Sequence, residues 1–439
     1  MIKGLEKLPS YEFYKDSNLQ WLGVVPRHWR ITRLGGLFKE RRSKVSDKVF
    51  PPLSVTKNGV LPQLESAAKT NDGDNRKLVK AGDFVINSRS DRKGSSGVSE
   101  MDGSVSLINI VLEPRGVNRR FCQYLFKSYA FVEEFYRIGH GIVADLWTTR
   151  YDEMRSIVLA FPPFNEQTNI VNFLDSNDAL IDQAIRIKEL QIELLKERKQ
   201  ALIQKAVTRG LDPDAPMRES GFEWIGKIPA HWSVMANRAL FRERVEPGRE
   251  DLPLLSVSIH SGVSEEEISE EENIRGRVKI EDKTKYNLVR PGDIAFNMMR
   301  AWQGAIGAVR VGGMVSPAYT IVVPRQCLDA RYFEYQYRTP GFIQQMDRYS
   351  KGITDFRKRL YWDCFKQLTT LVPPIEEQRA IIEFIEQAIL KQDAAVILLE
   401  QQITKLKEYK STLINSAVTG KIKVPGVVDP AKIKEQEIA

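Results

Sequence analysis

The chain is poor in the residues that usually announce a reaction. Its 439 residues hold three cysteines and four histidines. Cys122, Cys327 and Cys364 are odd in number and widely separated, which argues against a disulfide framework and against a CxxC zinc or redox site. Reduced core thiols are expected. Among His28, His140, His231 and His260, the first and third sit in Pro-x-His-Trp contexts and read as structural. No apolar run approaches the roughly 20 residues that cross a bilayer, and the opening MIKGLEKLPSYEFYKD lacks the apolar stretch of a secretory signal. A cytoplasmic protein with no membrane partner is expected. Charge of one sign is only mildly in excess: 65 Lys and Arg against 57 Asp and Glu give a formal +8, compatible with an anionic partner.

Catalytic motifs are also missing. GFEWIGKI, residues 221–228, fits the glycine and lysine positions of a phosphate-binding loop, but Ile228 stands where a magnesium-ligating Ser or Thr is required. Its counterpart NLQWLGVV lacks the first glycine and the lysine. FPPF at 161–164 is similar to the Asn/Asp-Pro-Pro-Tyr/Phe motif of amino-methyltransferases, yet Phe161 replaces the polar residue that would accept hydrogen bonds from the target amine. The matching position later in the chain is Val372. With no glycine-rich cofactor loop and no nuclease carboxylate–lysine cluster, this chain is expected to be no enzyme, to hold no metal and to bind no cofactor of its own.

What the sequence does contain is a duplication. QWLGVVPRHW at 20–29 is answered by EWIGKIPAHW at 223–232, with Trp21, Gly23, Pro26, His28 and Trp29 matched by Trp224, Gly226, Pro229, His231 and Trp232. KAGDFVINSRSDRKGSSG (80–97) answers RPGDIAFNMMRAWQGAIG (290–307), FPPFNEQTNIVNFL (161–174) answers VPPIEEQRAIIEFI (372–385), and LKERKQALIQKAVTRG (195–210) answers LKEYKSTLINSAVTG (406–420). The order is kept and the offset drifts only from 203 to 211 residues. Two copies of one unit fill the chain.

Each copy begins with short β-branched and aromatic runs such as FVINS and AYTIVV, which read as strands. These are interspersed with helical stretches such as RRFCQYLFKSYAFVEEFYRI. After the Pro-Pro pair, about 40 residues run without Gly or Pro, predicting a helix about 60 Å long. Along the first, Val171, Leu174, Ile181, Ile185, Ile192, Leu195, Leu202 and Ala206 fall on three- and four-residue steps, interrupted by Asp178, Lys188 and Lys199. Along the second, Ile382, Ile385, Ile389, Val396, Leu399, Ile403, Leu406, Leu413 and Ala417 form the same stripe, interrupted by Gln392 and Lys410. Two helices that each cap their own domain would be one arrangement. A matching apolar seam on both, and a chain that must return through a globular domain, favour antiparallel pairing in a coiled coil. The expected fold class is α+β, with two α/β domains in pseudo-twofold repeat separated by those helices. The boundaries are domain one at 1–164, helix 165–209, a Pro-, Asp- and Gly-rich linker at 210–221, domain two at 222–375, helix 376–420 and a tail at 421–439.

The paired W-[LI]-G-x-[VI]-P-x-H-W segments, G-D-x-x-x-N strands, P-P-x-x-E-Q helix starts and L-K-E-x-K…A-V-T ends together resemble the DNA specificity subunit of type I restriction-modification systems, over nearly the whole chain. The resemblance implies two domains, each reading half of a bipartite site in double-stranded DNA, held apart by two spacer helices. It also implies assembly with two modification subunits that bring S-adenosylmethionine and adenine methylation, and with restriction subunits that bring ATP and magnesium for translocation and cleavage.

The copies differ most in NSRSDRKGSS against NMMRAWQGAI and in VADLWTTR against TDFRKRLY, so the half-sites are expected to differ. Arg89, Arg92, Lys93 and Arg150 in copy one, and Arg300, Gln303, Arg357, Lys358 and Arg359 in copy two, are the candidate DNA contacts. Such side chains read purine edges or hold phosphates, although any one of them could equally be a solvated surface charge. The acidic run SEEEISEEE, 264–272, is expected to be a solvated loop facing away from phosphate. Trp21, Trp29, Trp224 and Trp232 are expected to pack each domain against the base of the helices or against a modification subunit.

Overall fold

A computed structural model of the protein describes residues 8–63, 73–141, 147–249, 251–264, 283–352 and 358–428. It is a mixed α/β chain that divides into two compact units, Met1–Lys188 with Glu400–Ala439, and Glu189–Leu399. Two long helices, Phe164–Arg209 and Ile375–Val418, are each divided between the units, so that each unit holds the first part of one helix and the last part of the other. No helix among the described residues is long and apolar enough to cross a membrane.

In the first unit a four-stranded antiparallel sheet runs in the order Ser96–Val98, Phe84–Asn87, Asn109–Pro114, Phe38–Glu40. The strand FVIN is buried at all four positions, as continuous apolar and β-branched residues require of a strand covered on both faces. Short helices Arg119–Lys127 and Tyr129–Arg137 bring Phe126, Phe131 and Phe135 onto it, with Phe126 4.7 Å from Phe84 and 4.5 Å from Phe131 between ring centroids. The second unit has a sheet in the order Phe241–Arg244, Tyr319–Pro324, Ile294–Asn297, Ile306–Ala308. Helices Ala330–Tyr337 and Pro340–Tyr349 cover it, and Phe296 lies 4.6 Å from Phe365.

The first turn of each long helix explains why the Pro-Pro-x-x-Glu-Gln pattern recurs. Gln167 donates to the Pro162 carbonyl at 2.9 Å and accepts from the Asn118 backbone N–H at 2.8 Å, fixing the residue that caps the helix Arg119–Lys127. Gln378 repeats this with Pro373 at 2.9 Å and the Asp329 N–H at 3.0 Å. Glu166, buried, accepts from Tyr11 Oη at 2.7 Å and Trp29 Nε1 at 2.8 Å, and lies 2.7 Å from His28 Nε2. Glu377 lies 2.7 Å from His231 Nε2. Trp29 and Trp232 are almost wholly buried. Trp232 has an indole N–H with no partner among the described residues, so its ring is held by packing, with Tyr332 edge-on at 6.4 Å.

Each tryptophan also meets the end of the other long helix. The helices stop at Gly210 and Gly420, both at positive φ (71° and 72°), the usual left-handed glycine stop. A Cβ on Gly420 would lie 2.3 Å from Pro26 Cδ and 3.3 Å from Trp29; one on Gly210 would lie 3.4 Å from Trp232. The tryptophan segment therefore binds the start of one long helix to the finish of the other within each unit. Trp21 and Trp224 are half-buried, and Trp224 stands edge-on to Phe342 at 4.9 Å.

Along the helices, Leu174, Ile181, Ile185, Ile192, Ile385, Ile403 and Leu413 are buried, and Leu195, Leu202, Ile389, Val396, Leu399 and Leu406 are half-buried. Leu180, Leu190, Leu194, Leu390 and Leu398, off that stripe, are more than half exposed. The charged interruptions find polar partners on the opposite helix. In the first unit Lys410 Nζ is 2.8 Å from Asp182 and 3.6 Å from Asp178, and Lys188 donates to Gln402 at 2.5 Å. In the second, Lys199 is 2.8 Å from Asp393. Moving from Asp182 to Lys188 on one helix moves from Lys410 back to Gln402 on the other, so the two segments run in opposite directions. Burying one such apolar side chain is worth roughly 1.5–3 kcal/mol against at most about 1 kcal/mol for a partly exposed ion pair. The stripe provides the attraction and the polar pairs fix the register.

Replacing Trp29 by Ala should cost about 3–5 kcal/mol of stability, whereas Trp29→Phe, which keeps most of the ring but loses the donor to Glu166, should cost about 1 kcal/mol. Denaturant melts of the two variants check this. Equal losses would mean that packing against the helix ends contributes little.

Asp178 yields a second expectation. Burial raises its pKa, against the opposing pull of Lys410 and the Tyr124 hydroxyl. A carboxyl with a folded pKa above its unfolded value costs stability once ionised, and that cost vanishes as pH falls through the folded value. Asp178→Asn should therefore be neutral or stabilising at neutral pH, and its advantage over the wild type should shrink towards acid. Thermal melts across that range would refute this by finding a constant loss.

Candidate nucleic-acid interface

The Gly-Asp-x-x-x-Asn pattern builds a brace beneath one loop in each unit. Buried Asp83 accepts from Arg41 Nε at 2.7 Å, Arg41 Nη2 at 3.1 Å and the Lys80 N–H at 2.8 Å. Asp293 does the same with Arg244 Nη1 at 2.5 Å and the Arg290 N–H at 2.8 Å. At the strand end, Asn87 accepts from the Arg89 N–H at 3.0 Å and Asn297 from the Met299 N–H at 2.9 Å, turning the chain out into the loops that differ between the copies.

Those loops do not stand alone. The Thr149 N–H donates to the Ser88 carbonyl and the Ser90 N–H to the Trp147 carbonyl, both at 2.9 Å. In the second unit the Leu360 N–H donates to the Met298 carbonyl at 2.8 Å. The described parts of the two stretches that diverge most between the copies, some 60 residues apart in sequence, are thus hydrogen-bonded to each other in each unit.

Arg89, Arg92, Lys93 and Arg150 are all exposed on the first unit. Arg89 and Arg150 line the same cleft, of about 600 Å³, together with Arg42, Lys44, Lys77, Glu40 and Asp152. Arg92 and Lys93 are not among its lining residues: Arg92 lies 3.7 Å from Asp91, and Lys93 is held by Glu133 at 2.8 Å. On the second unit Arg300 and Gln303 are exposed. Lys358 Nζ is 2.7 Å from Asp347 and 5.1 Å from the Trp302 ring centroid. Arg359 exchanges backbone hydrogen bonds with Lys351 at 2.8 and 2.9 Å. Arg357 and residues 265–272 of the acidic run lie outside the described residues.

Sequence reasoning passed over Arg42, Lys44 and Lys77. Strand pairing sets Lys44 directly beside Lys77, a neighbourhood with no trace in the linear order. The run RRSK at 41–44 was the one available signal. Among the described residues, no group of three or more His, Cys, Asp or Glu side chains could hold a metal.

No family model matches the chain. Over 355 residues it is 23% identical to the type I restriction enzyme EcoBI specificity subunit of Escherichia coli, covering 73% of this chain and 72% of that protein. A chain from a structure of complex assembly and conformational transition of the type I R-M system aligns with a TM-score of 0.60, at 15% identity, covering 90% of this chain and 98% of its own. The HsdS subunit from Thermoanaerobacter tengcongensis aligns with a TM-score of 0.52, at 16% identity, over 91% and 98%. This chain resembles a type I specificity subunit. The fold of such subunits extends over both units and both long helices, as the coverage requires.

The brace under the loop carries its own test. Asp83→Ala leaves the Arg41 guanidinium without its main partner and should cost about 3 kcal/mol. Chemical denaturation of the variant checks this; a loss below about 1 kcal/mol would mean the pair contributes no more than a surface salt bridge.

Proposed function

We propose that this chain is the DNA-recognition subunit of a type I restriction-modification complex, non-catalytic by itself. Its two units act as target-recognition domains in pseudo-twofold repeat, and its long helices as an antiparallel coiled-coil spacer. Together they read a bipartite, asymmetric site in double-stranded DNA. Two modification subunits would bring S-adenosylmethionine, and restriction subunits would bring ATP and magnesium. The reading implies a soluble, cytoplasmic assembly.

The observation that carries it is the joining of the divergent stretches. Where two copies keep the same frame and differ on one exposed, cation-bearing face, that face is where their targets differ. The protein similarity points the same way. No part of the chemistry need lie here, since recognition requires groups that contact base edges and phosphates.

Purified alone, the chain should transfer no methyl group to DNA. Combined with its modification partner, it should confer adenine methylation at one gapped sequence with two unlike halves, read by methylome sequencing of cells with and without the gene. Methyl transfer by the isolated chain, or an unchanged methylome, would defeat the proposal.

A further inference from the structure

We infer that the two units grip DNA by different physics, the first through phosphate contacts in a cationic cleft and the second at a surface that has lost those charges. This deepens the DNA-recognition reading above and rests on it.

Strand register makes the two units comparable position by position. Phe38 pairs with Pro114 and Phe241 with Pro324, so Arg42 corresponds to Val245. Lys44 sits beside Lys77 in the first unit, where Pro247 is bridged to Asn287 in the second. Asn87 faces Asn109 and Asn297 faces Tyr319, so Arg89 corresponds to Met299. Arg150 and Tyr361 each precede the first turn of a matching short helix. All five cations of the first cleft, Arg42, Lys44, Lys77, Arg89 and Arg150, are thus replaced by Val245, Pro247, Asn287, Met299 and Tyr361. The carboxylates stay: Glu40 and Asp152 correspond to Glu243 and Asp363.

The charge left for a ligand differs accordingly. In the first cleft Glu40 takes up Arg42 at 2.5 Å and Lys77 at 3.4 Å. The side-chain charges of Lys44, Arg89 and Arg150 then have no carboxylate partner among the described residues. Such a cleft suits the phosphodiester backbone. In the second unit Val245 is 77%, Met299 40% and Tyr361 48% exposed, and of the two retained carboxylates Asp363 is held by Lys366 at 2.6 Å, which leaves a surface without the cationic excess of the first cleft and suited to base edges and the thymine methyl group. The second unit carries cations at other positions: Arg300 stands where the first unit has Ser90, and the half-buried Arg359 where it has Thr148, which lines the first cleft.

The full-length chain would be titrated by fluorescence anisotropy against a labelled mixed-sequence duplex across a salt series. Each phosphate contact contributes about 0.9 to the slope of log affinity against log salt, so Arg89→Gln with Arg150→Gln should flatten the slope by about 2. Arg300→Gln with Arg359→Gln should flatten it by less than half as much, and Met299→Arg should steepen it by about 1. The gain-of-charge variant keeps the test decisive should a double variant misfold. Equal flattening by the two double variants, or none by the first, overturns the inference while DNA recognition survives. A wild-type chain that binds no duplex at any salt overturns the recognition reading itself.

Discussion

Remove the carboxylate of Glu166 and three donors, from Tyr11, His28 and Trp29, lose their common acceptor at the start of a long helix. Remove the neighbouring amide of Gln167 and the chain before the helix loses its tie to the cap of the next helix over the sheet. Two adjacent residues in one helical turn therefore set three things together: the start of the long helix, the seat of the tryptophan segment, and the helix that lines the core. Negative charge at a helix start is favourable in its own right, which makes this an economical position for a buried carboxylate. The second unit uses Glu377 and Gln378 in the same positions, with packing around Trp232 standing in for the indole hydrogen bond.

That clasp explains why the short motifs, rather than the strands, survive between the copies. A strand needs apolar residues that fit a pleated, covered surface, and FVIN and IAFN satisfy this with different side chains. A hydrogen-bonded carboxylate and amide must have one length and one set of donors, so Pro-Pro-x-x-Glu-Gln and Pro-x-His-Trp tolerate little change. The same contrast holds for Asp83 and Asp293, each tied to an arginine at the end of the edge strand two places across the sheet.

Much of this was legible in the linear order because it repeats at a fixed offset. The long helices follow from the absence of Gly and Pro and from the three- and four-residue apolar steps, and Leu174, Ile181 and Ile385 are buried where that spacing puts them. Charged residues that interrupt the stripe, such as Lys410 and Lys199, looked like defects and are paired across the helices instead. What periodicity could not supply was lateral neighbourhood. Lys44 and Lys77 meet only through strand pairing, and Trp147 meets Ser90 only through a loop contact. Spacing along one chain carries no information about either.

The two units also show how far a frame constrains what it carries. Burial fixes Asp83, Asn87 and the sheet beneath them, since an unpaired buried carboxylate costs several kcal/mol. Nothing of that size restrains Arg89 or Arg150, whose side chains project into solvent. An exposed position can change from Arg to Met, or from Arg to Tyr, at a stability cost within about 0.5 kcal/mol. Electrostatic character is therefore free to diverge on this face while geometry is not. The same backbone can present a cationic cleft in one unit and a surface without those cations in the other, because the side chains of Arg89 and Arg150, exposed to solvent, take little part in holding the unit together.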